Sequence, residues 1–320
     1  MRVRAPGKVV LWGEYAVLAQ APAAVMAVNR EAQVDLDPAA QRNLFRSEGF
    51  VTPAVYKADL NFCNAPTAAM AEAVCAALGY TQWPCALSLR SDTRAFFANN
   101  GHKLGLGSSA ALCVATYVAL CEVFQHTASP AEAIAIHRQF QGGRGSGLDV
   151  AASWQGGVIR YTDGQLQPWP WPPDLYWSVV WTGVSASTVR SVVNFEHWRR
   201  HSAQGREPQT LQALKELSTT LFASSGHASQ LLTSLRAYCA ALADLDRAAE
   251  LQIFTPQHLQ LAKLAARSGL VYKPCGGGGG DVGIACSEDP QRLAEFNAAA
   301  RAEHFHPLDL EIATHGVRVG

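Results

Sequence analysis

The chain has 320 residues, of which 48% are hydrophobic and 16% are charged, a composition typical of a globular protein with a large core. Lysine plus arginine and aspartate plus glutamate each total 26, so the formal net charge is zero. This balance gives no global attraction to nucleic acid or to a membrane surface, and we expect neither among the partners. An anionic ligand must therefore be held by a local cluster.

The eight cysteines form no Cys-x-x-Cys pair, and most of them lie in apolar stretches. This usage is typical of buried free thiols in a reducing compartment. The first residues, Met-Arg-Val-Arg-Ala-Pro-Gly-Lys, followed by Glu14, do not suit a signal peptide. We expect a cytoplasmic protein.

Hydrophobic patterning predicts strands and helices on both sides of a Pro-rich break. The predicted strands are Val3–Trp12, Ala32–Leu36, Ala86–Arg90, Gly157–Tyr161, Trp177–Trp181 and Val282–Cys286. The predicted helices are Thr67–Leu78, Ala110–Phe124, Pro130–Phe140, Gln209–Ala223, His227–Leu251 and Pro256–Ser268. The segment Gln165–Tyr176 (QLQPWPWPPDLY) predicts no regular element and is the best boundary candidate. The sequence thus predicts two α+β lobes.

A glycine-rich turn between Lys103 and Ala111 (KLGLGSSAA) leads directly into a helical stretch. Gly105 and Gly107 allow tight turns and close approach of an anion to the backbone, and helix N-termini favour phosphate. Taken alone, the pattern is explained equally well by a structural turn before a core helix. It is neither a P-loop nor a dinucleotide loop, because no Gly-x4-Gly-Lys-Ser/Thr occurs and position 110 is alanine.

Three further features accompany this turn. Lys8 stands at a strand start between apolar neighbours, where the alternative is a surface lysine on an edge strand. Asp149 follows a second glycine-rich turn, GGRGSG, and either serves chemistry or simply favours a helix N-terminus. The run Gly276–Gly280 is either a linker or a place where backbone approaches a ligand.

Together the segments APGKVVLWGEYAV, KLGLGSSAAL and KPCGGGGGDVGIA resemble the three motifs of the GHMP small-molecule kinases, in the family's order. Within that family, GEYAV, GSGLDVA and WTGVSAST are most similar to the phosphomevalonate kinases, although Cys275-Gly276-Gly277 stands where those kinases tend to have Ser-Gly-Ala. The resemblance implies an ATP- and Mg²⁺-dependent kinase with a ribosomal S5 domain 2-like ATP-binding lobe, residues 1–168, and a ferredoxin-like lobe, residues 169–320. It also implies a small phosphorylated alcohol as acceptor, and we expect a monomer or homodimer.

The resemblance further implies roles for individual residues. Asp149 orients and deprotonates the acceptor oxygen, and Lys8 stabilises the transferred charge. The ATP phosphates are expected to contact Lys103, Gly105, Leu106, Gly107, Ser108, Ser109 and Ala110, with Mg²⁺ on Ser108. Besides Lys8 and Asp149, the acceptor-side candidates are Tyr15, His137, Arg144, Ser146, Gly147, Ser185, Ser187, Thr188, Gly276, Gly277 and Gly278. The cationic end of the helix at 130–140 suits an acceptor that already bears a phosphate.

Other functions remain open on the sequence. A mevalonate kinase, or another family member acting on an unphosphorylated alcohol, is the main enzymatic alternative. A decarboxylase of the family is less favoured, because Asp149 lies in the kinase-type Gly-Ser-Gly-x-Asp context. A catalytically silent metabolite-binding relative is expected to lack Lys8, Ser108 or Asp149, and all three are present.

Overall fold

A computed structural model describes residues 1–49, 54–56, 66–143, 145–186, 188–202, 207–224 and 226–320. Contacts divide the chain into two compact units. Unit 1 comprises Met1–Lys8, Met26–Gly157 and Ile312–Gly320, and unit 2 comprises Val9–Val25 and Val158–Glu311. The predicted lobe boundary after residue 168 stays a prediction.

Strands and helices occur in both units. The described strands are β1 (Arg2–Trp12), β2 (Ala23–Asp37), β3 (Leu44–Glu48), β4 (Ala54–Tyr56), β5 (Ser88–Asp92), β6 (Val158–Thr162), β7 (Gln165–Pro168), β8 (Tyr176–Trp181), β9 (Val271–Pro274), β10 (Val282–Ser287), β11 (His306–Leu308) and β12 (Arg318–Val319). The described helices are α1 (Pro66–Ala77), α2 (Ser108–Phe124), α3 (Pro130–Phe140), α4 (Leu148–Gln155), α5 (Thr188–Ser202), α6 (Gln209–Thr220), α7 (Ala228–Ala249), α8 (Pro256–Arg267) and α9 (Pro290–Ala302). This mixture confirms the predicted α+β class.

Unit 1 combines a sheet with a layer of helices. Its strands are ordered β12-β1-β2-β5-β3-β4, and β3 runs parallel to β5 while β12 runs antiparallel to β1. Helix α2 is the centre of the helical layer, because it packs against α1, α3 and α4 and is buried at every position from Ala110 to Cys121. A helix that is apolar all round belongs in such a core. The N-terminal turn of α2 is therefore held rigidly.

Unit 2 contains a four-stranded antiparallel sheet in the order β11-β8-β10-β9. In chain order the strands follow the βαββαβ series of the ferredoxin-like arrangement, with helices α5 to α8 between β8 and β9 and helix α9 between β10 and β11. Helices α8 and α9 pack on the sheet through a core that includes Leu261, Tyr272 and Phe296. This architecture confirms the expected ferredoxin-like lobe.

The prediction of no regular element over Gln165–Tyr176 is wrong at both ends, because β7 occupies Gln165–Pro168 and β8 begins at Tyr176. Strand β7 pairs antiparallel with β6, in a hairpin that closes on Asp163 and Gly164. Both turn residues have positive φ, 46° and 84°, which is the conformation that an Asp-Gly pair favours in two-residue hairpin turns. The prediction gave more weight to the prolines after position 167, which disfavour regular structure, than to the Asp-Gly pair.

Among the residues that the structure describes, no helix combines the length and the apolar character needed to cross a membrane.

Candidate active site

The glycine-rich turn and Lys8 lie together in unit 1. Helix α2 begins after Gly107, whose φ of 83° is left-handed and which, as a glycine N-cap, has no side chain to bond the first amide groups. The backbone N–H of Lys8 donates to the carbonyl of Leu106 at 2.8 Å, and its Nζ lies 3.5 Å from the carbonyl oxygen of Gly105. A cation and uncapped amides therefore share the N-terminus of a buried helix, an arrangement suited to phosphate.

Asp149 completes this group of residues. It lies in the first turn of α4, and its Oδ2 is 3.5 Å from Nζ of Lys8. The lysine side chain is 10% exposed, whereas the aspartate side chain is 36% exposed. Because the lysine is enclosed and the carboxylate still reaches solvent, the pair can meet a ligand from the Asp149 side.

His137 reaches the same turn from α3. Its Nε2 is 3.2 Å from the hydroxyl oxygen of Ser109, and the imidazole is buried. The pKa of His137 lies below its ordinary value. Burial is the largest cause, the Asp149 carboxylate opposes it, and nearby Lys103 lowers the pKa further. The imidazole is therefore mostly neutral at pH 7. The sequence did not predict the contact with Ser109, and a role of His137 toward an acceptor phosphate stays a prediction.

The other candidates of unit 1 are placed as follows. Lys103 is exposed and forms a β-bridge with Phe97. The hydroxyl of Ser146 accepts a hydrogen bond from the backbone N–H of Leu148 at 3.2 Å, beside Gly147, the N-cap of α4. Ser108 and Ala110 are buried in the first turn of α2. Arg144 lies outside the described residues.

In unit 2, Tyr15 joins the turn after β1 to the glycine run. Its hydroxyl donates to the carbonyl of Gly277 at 2.5 Å, and its ring packs on Phe195 of α5 with centroids 5.1 Å apart. Burial raises the pKa of Tyr15, and a hydrogen bond with Ser191 opposes that rise. Ser191 had no signal in the sequence. Gly276 and Gly278 lie in the same turn, both with positive φ.

The segment that carries Ser185 is fixed by Asp281. The backbone N–H of Asp281 donates to the carbonyl of Val184 at 2.7 Å, and its carboxylate accepts from the backbone N–H of Ala186 at 2.9 Å. Ser185 is therefore held in unit 2 beside the end of the glycine run. Ser187 lies outside the described residues, and Thr188 begins α5 with its side chain outside the description. Sequence reasoning did not select Asp281, although its position as an acidic residue directly after five glycines could have pointed to it.

A buried ion pair in unit 2 also escaped the sequence analysis. Nζ of Lys273 on β9 contacts Oε1 of Glu14, and the two side chains are 2% and 1% exposed. The hydroxyl of Tyr238 donates to the other carboxylate oxygen of Glu14 at 2.9 Å and accepts from the backbone N–H of Gly13 at 2.8 Å. Because lysine is rarely fully buried, sequence gives no expectation of such a pair.

The residues near α2 fit a Mg²⁺ ion that arrives with a ligand. Within the described ranges no group of three or more His, Cys, Asp or Glu residues is placed to hold a metal. The oxygen donors at the start of α2 are the hydroxyls of Ser108 and Ser109. Mg²⁺ commonly takes few protein ligands and completes its coordination with phosphate oxygens and water. Ser108 therefore suits a nucleotide-borne ion.

A family model described as GHMP kinases N terminal domain matches residues 67–157. The phosphomevalonate kinase of Streptomyces sp. (strain CL190) is 31% identical over 250 residues, which cover 68% of this chain and 67% of that protein.

Two solved structures are similar over nearly the whole chain. A Lin0012 protein from Listeria innocua has a TM-score of 0.84 at 23% identity, covering 100% of this chain and 99% of its own. Streptococcus pneumoniae phosphomevalonate kinase, in complex with phosphomevalonate and AMPPNP, has a TM-score of 0.80 at 20% identity, covering 98% and 99%. At these identities the two structures establish the shared fold.

Proposed function

The chain belongs to the GHMP kinase family of small-molecule kinases, and from this premise we propose that it transfers the γ-phosphate of ATP to 5-phosphomevalonate. The products are ADP and 5-diphosphomevalonate. The contact between Lys8 and Asp149 at the start of α2 carries this proposal. It supplies a cation and a carboxylate beside a phosphate-binding turn, the groups that phosphoryl transfer requires.

Positioning and charge neutralisation do most of the work in phosphoryl transfer. The amides from Gly105 to Ala110 hold the ATP phosphates at the helix N-terminus, with Lys103 as a further contact. Asp149 orients the attacking oxygen and takes its proton. Lys8, which lies between Gly105 and Asp149, stabilises the charge on the transferred group. Ser108 would hold a Mg²⁺ ion, which would supply neutralisation of the phosphate charge.

The choice of acceptor rests on the Streptomyces relative, which is a phosphomevalonate kinase at 31% identity. Tyr15 and the 182–186 segment, which contact or adjoin the glycine run within unit 2, are the acceptor-side candidates there. A second candidate acceptor is an unphosphorylated alcohol such as mevalonate. Two contacts at the cationic end of α3 favour this acceptor. His137 contacts the Ser109 hydroxyl and Arg138 donates to backbone carbonyls, so both side chains have partners within unit 1 in place of an acceptor phosphate.

The test is ADP release from Mg-ATP with a panel of acceptors: 5-phosphomevalonate, mevalonate, mevalonate 3-phosphate, homoserine and galactose. Turnover confined to 5-phosphomevalonate is the expected result. Turnover on mevalonate alone would leave the role of Asp149 intact and replace the acceptor. ATP binding without turnover on any acceptor would favour an untested acceptor or a silent metabolite-binding protein.

A further inference from the structure

The last turn of α3 holds the turn that precedes Asp149. The guanidinium of Arg138 donates from Nε to the carbonyl of Gly145 at 3.0 Å and from Nη2 to the carbonyl of Ser146 at 2.5 Å. These two carbonyls are consecutive, and Asp149 follows three residues after the second. Arginine presents several donors in a fixed planar fork, so one side chain can fix two neighbouring acceptors.

This turn needs an external support. Gly145 and Gly147 both have left-handed φ, 99° and 87°, and glycine loses more backbone entropy on ordering than any other residue. Helix α4, which carries Asp149, is only eight residues long. Its N-cap, Gly147, has no side chain to bond the first amides, and the cap of Leu148 comes from Ser146. The fork of Arg138 therefore orders the backbone on which the position of Asp149 depends.

His137, the residue before Arg138, makes a contact of the same kind with the start of α2. His137 contacts Ser109 in the first turn of α2, as described above. Two consecutive side chains of α3 thus contact the starts of α2 and α4. Lys8 bridges the same two places, since its Nζ is 3.5 Å from both the Gly105 carbonyl and the Asp149 carboxylate.

We propose that Arg138 is a positioning residue that holds Asp149 at a fixed distance from Lys8 and the phosphate-binding turn. The proposal rests on the proposed function only in giving Asp149 its catalytic task. It assigns the cationic end of α3 to ordering the 145–147 turn, in place of binding an acceptor phosphate. A displacement of about 1 Å at a reacting group is enough to cost about 10²-fold in rate.

The experiment uses the full chain with Arg138→Ala and Arg138→Lys. Backbone amide exchange over residues 145–151 is measured together with kcat and KM for ATP and 5-phosphomevalonate. For Arg138→Ala we expect faster exchange in this segment, a fall in kcat of about 10²-fold and an unchanged KM for ATP. For Arg138→Lys, whose ammonium donates from a single nitrogen and lacks the planar fork, we expect exchange and kcat between those of the wild type and Arg138→Ala. Ethylguanidinium, but not ethylammonium, restores part of the kcat of Arg138→Ala.

Arg301→Ala is the matched control, because Arg301 also lies in the last turn of a helix and is exposed in unit 2. Unchanged exchange and unchanged kcat in Arg138→Ala would overturn the proposal. So would a raised KM for the phosphorylated acceptor at constant kcat, which would make Arg138 an acceptor ligand. If the wild-type chain turns over none of the acceptors, the function fails while the exchange measurement still decides whether Arg138 orders the turn.

Discussion

Lys8 and Asp149, 141 residues apart in the chain, meet with 3.5 Å between Nζ and Oδ2. If Asp149 orients and deprotonates the acceptor oxygen, Asp149→Asn keeps the shape of the side chain and removes its charge and basicity. We expect kcat to fall by about 10²-fold or more while ATP affinity stays within about twofold. Turnover by ADP release and ATP binding by calorimetry measure the two effects. Asp174→Asn, at an exposed carboxylate of unit 2, is the control.

The contact also predicts that the two residues act as a unit. Lys8→Met alone is expected to lower kcat strongly, whereas a surface lysine would have almost no effect. The double variant Lys8→Met/Asp149→Asn is expected to be little slower than the slower single variant, because effects of groups that act together are not additive. Fully multiplicative losses would show that the two side chains act independently.

Gly107 tests how closely the turn must fit Lys8. A Cβ at Gly107 would lie 2.9 Å from Cγ of Lys8, and the residue has φ of 83°. Gly101 has nearly the same φ, 81°, but a Cβ there meets open space. Gly107→Ala and Gly101→Ala therefore carry the same backbone strain and differ in contact with Lys8. We expect kcat to fall in the first variant only, with both folded by circular dichroism. Equal kinetics in both variants would remove the close fit from the mechanism.

Helix boundaries that depend on neighbouring residues could be predicted from the sequence, whereas contacts between residues far apart in the chain could not. Helix α3 has the bounds that the sequence predicts, Pro130–Phe140. In the structure Ser129 caps it by accepting a hydrogen bond from the N–H of Glu132, and Pro130 occupies the first turn. The helix after the glycine-rich turn begins two residues before its predicted start, at Ser108. Both boundaries depend on residues within one turn of the chain.

The site could be predicted only in outline for the same reason. The local sequence makes Lys8 and Asp149 candidates and the resemblance implies their roles, but nothing in their spacing gives the distance between them. Arg138 lies at the cationic end of the helix at 130–140, which the sequence analysis expects to suit a phosphorylated acceptor. A sequence does not show that carbonyls seven and eight residues away accept from this arginine. The pair of Lys273 with Glu14 spans 259 residues and was not predicted at all.

His258 predicts a pH dependence of stability in unit 2. Its Nε2 lies 2.9 Å from the Gly280 carbonyl and so donates, which leaves Nδ1 to accept from the hydroxyl of Tyr272 at 2.8 Å. Burial lowers the pKa of His258 to about 4. Between the ordinary pKa of about 6.5 and this value, the unfolded chain binds a proton that the folded chain does not. The free energy of unfolding therefore falls as pH falls through this window, by at most about 1.4 kcal/mol per pH unit.

The measurement is urea unfolding between pH 5 and 6.5 for the wild type and for His258→Gln. Carboxylates contribute to the slope in both proteins, so the quantity of interest is the difference between the two slopes. A shallower slope in His258→Gln is expected, and His315→Gln, at an exposed position, serves as control. Parallel slopes would mean that His258 titrates alike in the folded and unfolded chain.

The ion pair of Lys273 and Glu14 predicts that substituting both residues costs less stability than substituting Lys273 alone. Lys273→Met leaves the Glu14 carboxylate buried with the Tyr238 hydroxyl as its remaining described donor, and breaking a buried pair in this way typically costs about 3–5 kcal/mol. Adding Glu14→Gln removes the charge, and the amide oxygen can still accept from the Tyr238 hydroxyl.

The double variant is therefore expected to be more stable than Lys273→Met alone in urea unfolding followed by tryptophan fluorescence. Lys263→Met, at an exposed lysine of α8, is the control and should change stability by less than about 0.5 kcal/mol. A double variant less stable than Lys273→Met would show that the Glu14 carboxylate stabilises the fold through the Tyr238 hydroxyl even without Lys273, and would contradict the prediction. Because Glu14 adjoins Tyr15, whose hydroxyl bonds the Gly277 carbonyl, acceptor KM in the recovered double variant shows whether the pair also positions that tyrosine.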